Sequence, residues 1–415
     1  MKNIAIYILM GILLVSACKD EDAQPLHNTW IIELDESAQD NVQTAMIQME
    51  DYDTIHFRSG TYQFNLGLDV IDKTGIVIRG EGREATILDF SGQVSGAQGI
   101  MGDNLNQVIF ANLTVQDAPG DGIKVKDSDG ISFINVGAVF TGPADSTNGA
   151  YGLYPVASRN VLLDNCYVRG ASDAGIYVGQ SEFVHVKNCL VEECVAGCEI
   201  ENCKSSDVYD NEFRNNAGGL LIFDMPNLPV IPNGYKTRAY NNNIHDNNHN
   251  NFAPSGNIVA NVPPGSGITI LSFAEVEVFD NQIINNNMMS IGIISYVGLN
   301  ILNPNLNYND PIYDPFNYLI SIHDNTISKQ NVYPDDLNEL SELLTATFAN
   351  PADMPVILFD GLQANVSEEL RKICIQQEAD DLVYNVITDQ VVDMETLNCT
   401  ITPLPEVVVD APQLP

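Results

Sequence analysis

Lys124, Tyr154, Tyr177 and Glu199 each stand third in a short Gly-led run: GIKV, GLYP, GIYV and GCEI. Asp121, Tyr151, Asp173 and Glu201 lie beside them in sequence. If the runs stack in register, these residues form one outward strip, with neighbours about one strand spacing (~4.8 Å) apart. Removing a proton next to a carboxylate takes a base, an acid and a positive charge to steady the shifting electrons. Lys124 supplies the charge, Tyr154 or Tyr177 exchanges the proton, and Asp173 with Glu199 offers oxygen ligands to Ca²⁺. Tyrosine faces also suit stacking on sugar rings. The plainer reading is that exposed strand positions favour Tyr and tolerate charge. Asp164, Asp173, Glu199 and Glu201 also include pairs that glycoside hydrolysis would use, but no spacing singles out two.

What would hold such a strip is a repeat. The hexads FANLTV, FINVGA, LDNCYV, VKNCLV, VYDNEF, AYNNNI, VFDNQI and IHDNTI start at Phe110, Phe133, Leu163, Val186, Val208, Ala239, Val278 and Ile322. Gly-led alternating runs follow at Gly122, Gly152, Gly175, Gly197, Gly219, Gly267 and Gly292. Period-two alternation broken by Gly and Asn means short strands, and a unit of about 22 residues repeated many times means a solenoid. The outward positions read Lys124, Tyr154, Tyr177, Glu199, Leu221, Thr269 and Ile294.

The third hexad position is Asn or Asp because a sharp turn takes a left-handed residue. The fourth stacks Leu113, Val136, Cys166, Cys189, Asn211, Asn242, Asn281 and Asn325 into an inward ladder, with Cys as a small hydrophobe and Asn amides bonding to one another. Cys189, Cys194, Cys198 and Cys203 have spacings a zinc site could use, but CxxC pairs are absent, and no metal site is expected here or at the six His residues.

Three short strands per turn resembles the right-handed parallel β-helix, the pectin-lyase-like family, over about residues 40–330. The stretch DNVQTAMIQMEDYDTIHFRSGTYQF resembles that family's N-terminal cap. The fold expected is all-β, a right-handed single-stranded parallel β-helix of about eight or more rungs. Its domains would be a signal peptide over 1–17, a tether over 18–30, the capped helix over 31–329 and a mixed C-terminal extension over 330–415. DDLNELSELLTATF reads as a helix in that extension. Insertions fall at 141–149, 224–236, 246–265 and 297–317, and the first is expected to wall one side of the strip. Whether Cys374 pairs with Cys399 stays open.

The first residues carry a Lys, an apolar run too short to span a bilayer, and LVSAC, which resembles a bacterial lipobox with Cys18 lipidated. The following KDED resembles the surface-export signal of Bacteroidetes lipoproteins, which implies the outer face of the outer membrane. The charge is extreme, with 18 basic and 55 acidic residues. That excludes a phosphate-binding footprint and hence nucleic acid. The acidity reads as a solvated surface, or as a setting for Ca²⁺.

Two functional expectations follow. The first is binding or processing of an acidic extracellular polysaccharide, lyase- or epimerase-like if catalytic. The DPHD signature of mannuronan epimerases is absent, and DPFN at Asp314 is only an echo of it. The second rests on DGIKVKDSDGISFINV, NGAYGLYPVAS and GASDAGIYVGQS. These resemble a subgroup of exported β-helix proteins often encoded beside a diheme c-type cytochrome, which implies a noncatalytic partner or scaffold.

Overall fold

The computed structural model describes residues 27–306, 309–377 and 383–414. The expected signal, Cys18 and most of the tether lie outside the described residues. The chain winds as a right-handed parallel β-helix with three faces. The first face runs from Thr29–Ile32 through Arg159–Asp164, Glu182–Lys187, Lys204–Tyr209, Tyr235–Tyr240 and Ala274–Phe279 to Ile373–Gln376. The second carries the three-residue strands Tyr167–Arg169, Leu190–Glu192, Glu212–Arg214, Asn243–His245, Gln282–Ile284 and Thr326–Ser328. The long strands Asn106–Gln116 and Asp129–Val139 pass through both of these faces. The third face holds Ile123–Lys126, Leu153–Val156, Ala174–Gly179, Ala196–Glu201, Gly218–Phe223, Ser266–Leu271 and Met289–Ile294.

Alternate residues of each strand point inward and stack like on like. On the third face Ile123, Leu153, Ile176, Cys198, Leu220, Ile268 and Ile291 form one buried column. The glycine that leads each of these strands up to Gly267 sits where a Cβ would run into the carbonyl of the next rung. That close approach, not a special φ, is why the position is glycine.

The corner reading holds residue by residue. Asn112, Asn135, Asn165, Asn188, Asp210, Asn241, Asp280 and Asp324 all have positive φ, between 53° and 57°. The next residue turns inward. Asn211 Nδ2 donates to Asn242 Oδ1 (2.9 Å), Asn242 to Asn281 (2.9 Å) and Asn281 to Asn325 (2.9 Å). Each amide also donates to a strand carbonyl, as Asn242 does to Val208 O.

The N-terminal end is closed by the helix Ala38–Gln48, which buries Ala38, Val42, Ala45 and Met46. The helix expected after residue 334 forms over Glu339–Thr347, capped by the Asn338 side chain accepting from Ser341 N (3.0 Å). The segment after 330 also extends the stack with Ile357–Phe359, Ile373–Gln376 and Val383–Asn385, and a Cys374–Cys399 disulfide ties it. The last residues then run back across the first face. Leu404 N donates to Glu277, Val407 N to Asp207 and Asp410 N to Asn160, and Ser132 Oγ donates to Pro412 O.

Asn242→Ala removes a donor and an acceptor that neighbouring rungs rely on. It should lower unfolding free energy by about 2–4 kcal/mol in urea titration. Cys166→Ala, which loses little more than a weak S–H contact to Phe133 O (3.5 Å), should cost far less.

Candidate functional site

The third-face register builds the strip. Lys124 pairs with Tyr154, and the flanking pairs Leu153–Ile176 and Val156–Gly179 set Tyr154 beside Tyr177. Tyr177 pairs with Glu199, Glu199 with Leu221, Leu221 with Thr269, and Thr269 with Gly292. The row therefore passes through Gly292 and on to Leu358 and Tyr384. Ile294, expected in it, pairs with Leu271 instead, because Ser290 and not Gly292 takes the strand-leading place. The next outward row holds Lys126, Gly179, Glu201, Phe223 and Leu271.

The strip was expected on open surface, and this is corrected. Tyr177 is 7% exposed and Glu199 3%. The insertions fold back over the face: Ala144 from the first, Met225 from the second, and Phe252, Val259 and Val262 from the third pack on Tyr177, Leu221 and Phe223. What stays accessible is the outer part of the strip, the half-buried Lys124, Tyr151 and Tyr154.

Three rings line it. Tyr151 and Tyr154 lie 4.6 Å apart between centroids, and each lies 4.7 Å from Tyr177. Lys124 Nζ sits 4.3 Å from the centre of the Tyr154 ring, a cation–π contact. The Tyr151 hydroxyl donates to Asp173 Oδ2 (3.3 Å), and the Tyr177 hydroxyl donates to Glu201 Oε2. Gly179 makes the second contact feasible, because a Cβ there would collide with the Tyr177 ring. Asp121 accepts from Gln98 Nε2 (3.1 Å).

Desolvation dominates the electrostatics. Burial pushes Asp173 up to about 7, with the nearby Glu201 charge adding and the Tyr151 hydroxyl opposing. Burial likewise lifts Glu201 to about 7 against the Tyr177 hydrogen bond. It raises Asp121 less, and Glu199 well above the usual carboxylate range. Tyr154 is held up at about 12 by burial and Asp121, while Tyr151 and Tyr177 are raised further. Two carboxyls, Asp173 and Glu201, thus each accept from a tyrosine hydroxyl and are each raised by burial to about 7.

All of Lys124, Tyr154, Tyr177, Asp121, Tyr151, Asp173 and Glu201 converge here. Glu199 is adjacent but lines a separate apolar cavity. Asp164 does not join; it lies on the first face, paired with Lys187. Asp224 was missed. It is buried against Glu201's field and raised well above its ordinary value by burial, with Gly234 N donating to it (2.7 Å). Its signal was its place directly after a Gly-led strand, as the first residue of the 224–236 insertion. Among the described residues no group of three or more His, Cys, Asp or Glu side chains is arranged to hold a metal ion. Asp173 and Glu199, expected as Ca²⁺ ligands, are both buried, and burial raises both carboxyls. Cys189, Cys194, Cys198 and Cys203 are all buried, at different corners and strands of their rungs.

The sequence model described as "Right handed beta helix region" matches residues 74–233 and 148–306, together more than half of the chain. No curated protein matches the chain. Among solved structures, the A-module of mannuronan C-5 epimerase AlgE4 from Azotobacter vinelandii is similar at 14% identity, covering 62% of this chain and 77% of that one (TM-score 0.40). DFA-IIIase from Arthrobacter chlorophenolicus A6 is similar at 13%, covering 86% and 89% (TM-score 0.46). An N-terminal fragment of bacteriophage phi29 gene product 12 is similar at 11%, covering 62% of this chain and 49% of that one (TM-score 0.43). At these identities the likeness is one of fold.

A buried acid whose folded pKa is raised stabilises the fold only while protonated. That contribution is full below the unfolded carboxylate value of ~4 and is lost as pH rises through the folded value. With Asp173 and Glu201 at about 7, the melting temperature should fall between pH 5 and pH 8. The Asp173→Asn/Glu201→Gln double variant should flatten that fall in a calorimetric pH series.

Proposed function

The chain belongs to the right-handed β-helix family, and on that scaffold we propose that the Tyr151–Tyr154–Tyr177 cleft binds an acidic extracellular polysaccharide and exchanges a proton with it. The observation that carries this is the pairing of Tyr177 with Glu201 and of Tyr151 with Asp173, both carboxyls titrating at about 7 in one aromatic-lined cleft. Sugar rings stack on the tyrosines. Lys124, at the outer part of the cleft, neutralises the substrate carboxylate and so favours loss of the proton on the adjoining carbon. One carboxylate takes that proton. Its return from the second tyrosine–carboxyl pair gives epimerisation, whereas departure of the neighbouring glycosidic oxygen gives elimination. In this reading the chain is a lipoprotein anchored through Cys18 at the outer membrane's outer face, where such polymers are met.

The formal charge of −37 favours a second reading, in which the protein is a noncatalytic partner of an exported cytochrome with a positively charged face. The two are separated by one assay. Uronate polymers such as alginate and pectate are incubated in D₂O with the purified protein, and deuterium uptake or an unsaturated product is followed by NMR. Tyr177→Phe should lower the exchange rate at least about tenfold, and Lys124→Ala should lower kcat as well as raise KM. Binding should weaken above pH 8, where the ionised carboxyls repel the polymer. Absence of both binding and exchange with every polymer, alongside a salt-sensitive complex with a cytochrome, would favour the partner reading.

A further inference from the structure

The chain's last residues lie on the first face as a ligand would. A disulfide joins Cys399 to Cys374, and beyond it residues 401–414 form neither strand nor helix. Among the described residues, none of their backbone groups bonds to another backbone group. Side chains of the face hold them instead. Leu404 N donates to Glu277 (3.0 Å), Val407 N to Asp207 (3.1 Å) and Asp410 N to Asn160 (3.1 Å). In return His185 Nε2 lies 2.9 Å from Val407 O, Gln107 Nε2 donates to Asp410 O (3.1 Å), and Ser132 Oγ donates to Pro412 O. The three donors recur every third residue, and their acceptors stand on every second rung. The two periods match physically. Three residues of polyproline II rise about 9.3 Å, and two strand spacings are about 9.6 Å. Burial follows the same period: Ile401 and Leu404 are half-buried and Val407 is buried, whereas Thr402, Pro403, Pro405, Glu406 and Val408 are exposed. Pro403, Pro405 and Pro412 avoid the donor places, as residues without an N–H must.

We propose that this row is a binding site for an extended, proline-bearing peptide with a free backbone N–H at every third residue, and that residues 401–412 are its resident, displaceable occupant. The acceptors do not depend on this arm for their placing. Arg238 Nε donates to Asp207 Oδ1 (2.8 Å), His323 Nε2 lies 3.3 Å from Glu277 Oε1, and Asn160 Nδ2 donates to Asp129 Oδ1 (2.7 Å). The rungs thus hold each receiving group through another contact, so the site is built before a peptide arrives. The row also carries Ile109 and Leu162, which point outward and are nevertheless buried. Recognition runs through the backbone, so side chains at two positions in three are free to vary. Proline keeps the segment extended before it docks, which reduces the entropy lost on binding. A protein that presents a segment of this pattern binds here by lifting the arm. The row lies on a different face from the tyrosine strip, so it stands or falls separately from the polysaccharide reading.

The test lets the full chain fold and then cuts it. A protease recognition sequence is inserted between Thr400, which is exposed, and Ile401. After cutting, an excess of a fluorescent peptide of residues 401–415 should displace the severed arm and bind once per chain. The uncut chain should bind the peptide at least about tenfold more weakly, because its own arm competes at high local concentration. N-methylation of the peptide at Leu404, Val407 and Asp410 should weaken binding at least about tenfold. N-methylation at Glu406 and Val408, which are exposed, should leave it within about twofold. These changes are made in the peptide, so none of them can unfold the protein. A severed arm that never exchanges, a cut chain that takes up no peptide, equal uptake by cut and uncut chains, or equal effects of the two methylation patterns would overturn the proposal.

Discussion

Every rung of this solenoid must turn three corners without leaving buried backbone unpaired, and one device solves all three. A residue in the left-handed region makes the bend, and the next residue turns inward; where it is polar it accepts the backbone N–H of the rung before, and where it is Leu113 or Val136 it only packs. At the first corner the acceptors are Asn211, Asn242, Asn281 and Asn325 or Gln377, as when Cys189 N donates to Asn211 (2.9 Å). At the second they are Asn216, Asn247 and Asn286, receiving from Cys194, Asn216 and Asn247. At the third, Ser128, Ser158 and Ser181 receive from Leu105, Ser128 and Ser158. An unpaired buried amide is costly, so the ladders fix the vertical register of the stack.

The cleft inherits that register. Residues far apart in sequence become neighbours only because each rung sits in line with the last, and the outward row then reads Lys124, Tyr154, Tyr177, Glu199. The register alone would leave these groups in water with ordinary properties. The insertions change that by laying Phe252, Val259 and Val262 over the face. Desolvation then falls on acids that have one lysine among them, and the cheaper response is protonation rather than an unpaired buried charge. The scaffold therefore sets positions, and the loops set acidity.

This division explains what could be read from the chain. The Asn/Asp bends and the first ladder were legible because their chemistry repeats at fixed hexad positions. The second ladder was equally regular, each member standing five residues after one of the first: Cys194 after Cys189, Asn216 after Asn211, Asn247 after Asn242, Asn286 after Asn281. It went unread because it falls outside the hexads. The members of the cleft followed from register. Its burial did not, since nothing in a Pro- and Asn-rich insertion states which face it will cover. Ile294 was misplaced for a local reason: Ser290 stands where glycine leads the other strands, and Gly292 drew the alignment two residues along.

The three faces are left with different work. The second has three-residue strands whose outward side chains pair with each other, Arg214 with Glu192 (2.9 Å) and Arg169 with Glu193 (2.6 Å). The first is crossed by the C-terminal residues, which engage Glu277, Asp207 and Asn160 on every second rung. Its remaining outward aromatics, Tyr209, Tyr240 and Phe279, stack on one another at 4.9 and 5.0 Å. Most polar and aromatic groups of these two faces thus meet partners within the chain, although Ser206 Oγ and Thr237 Oγ1 on the first face do not. On the third face Glu199 and Thr269 keep unpartnered atoms and the tyrosine hydroxyls meet carboxyls that titrate near neutrality. The third face, by gathering the buried acids Asp173, Glu199 and Glu201 near Lys124, concentrates there a capacity to bind that the rung-to-rung ladders do not use up.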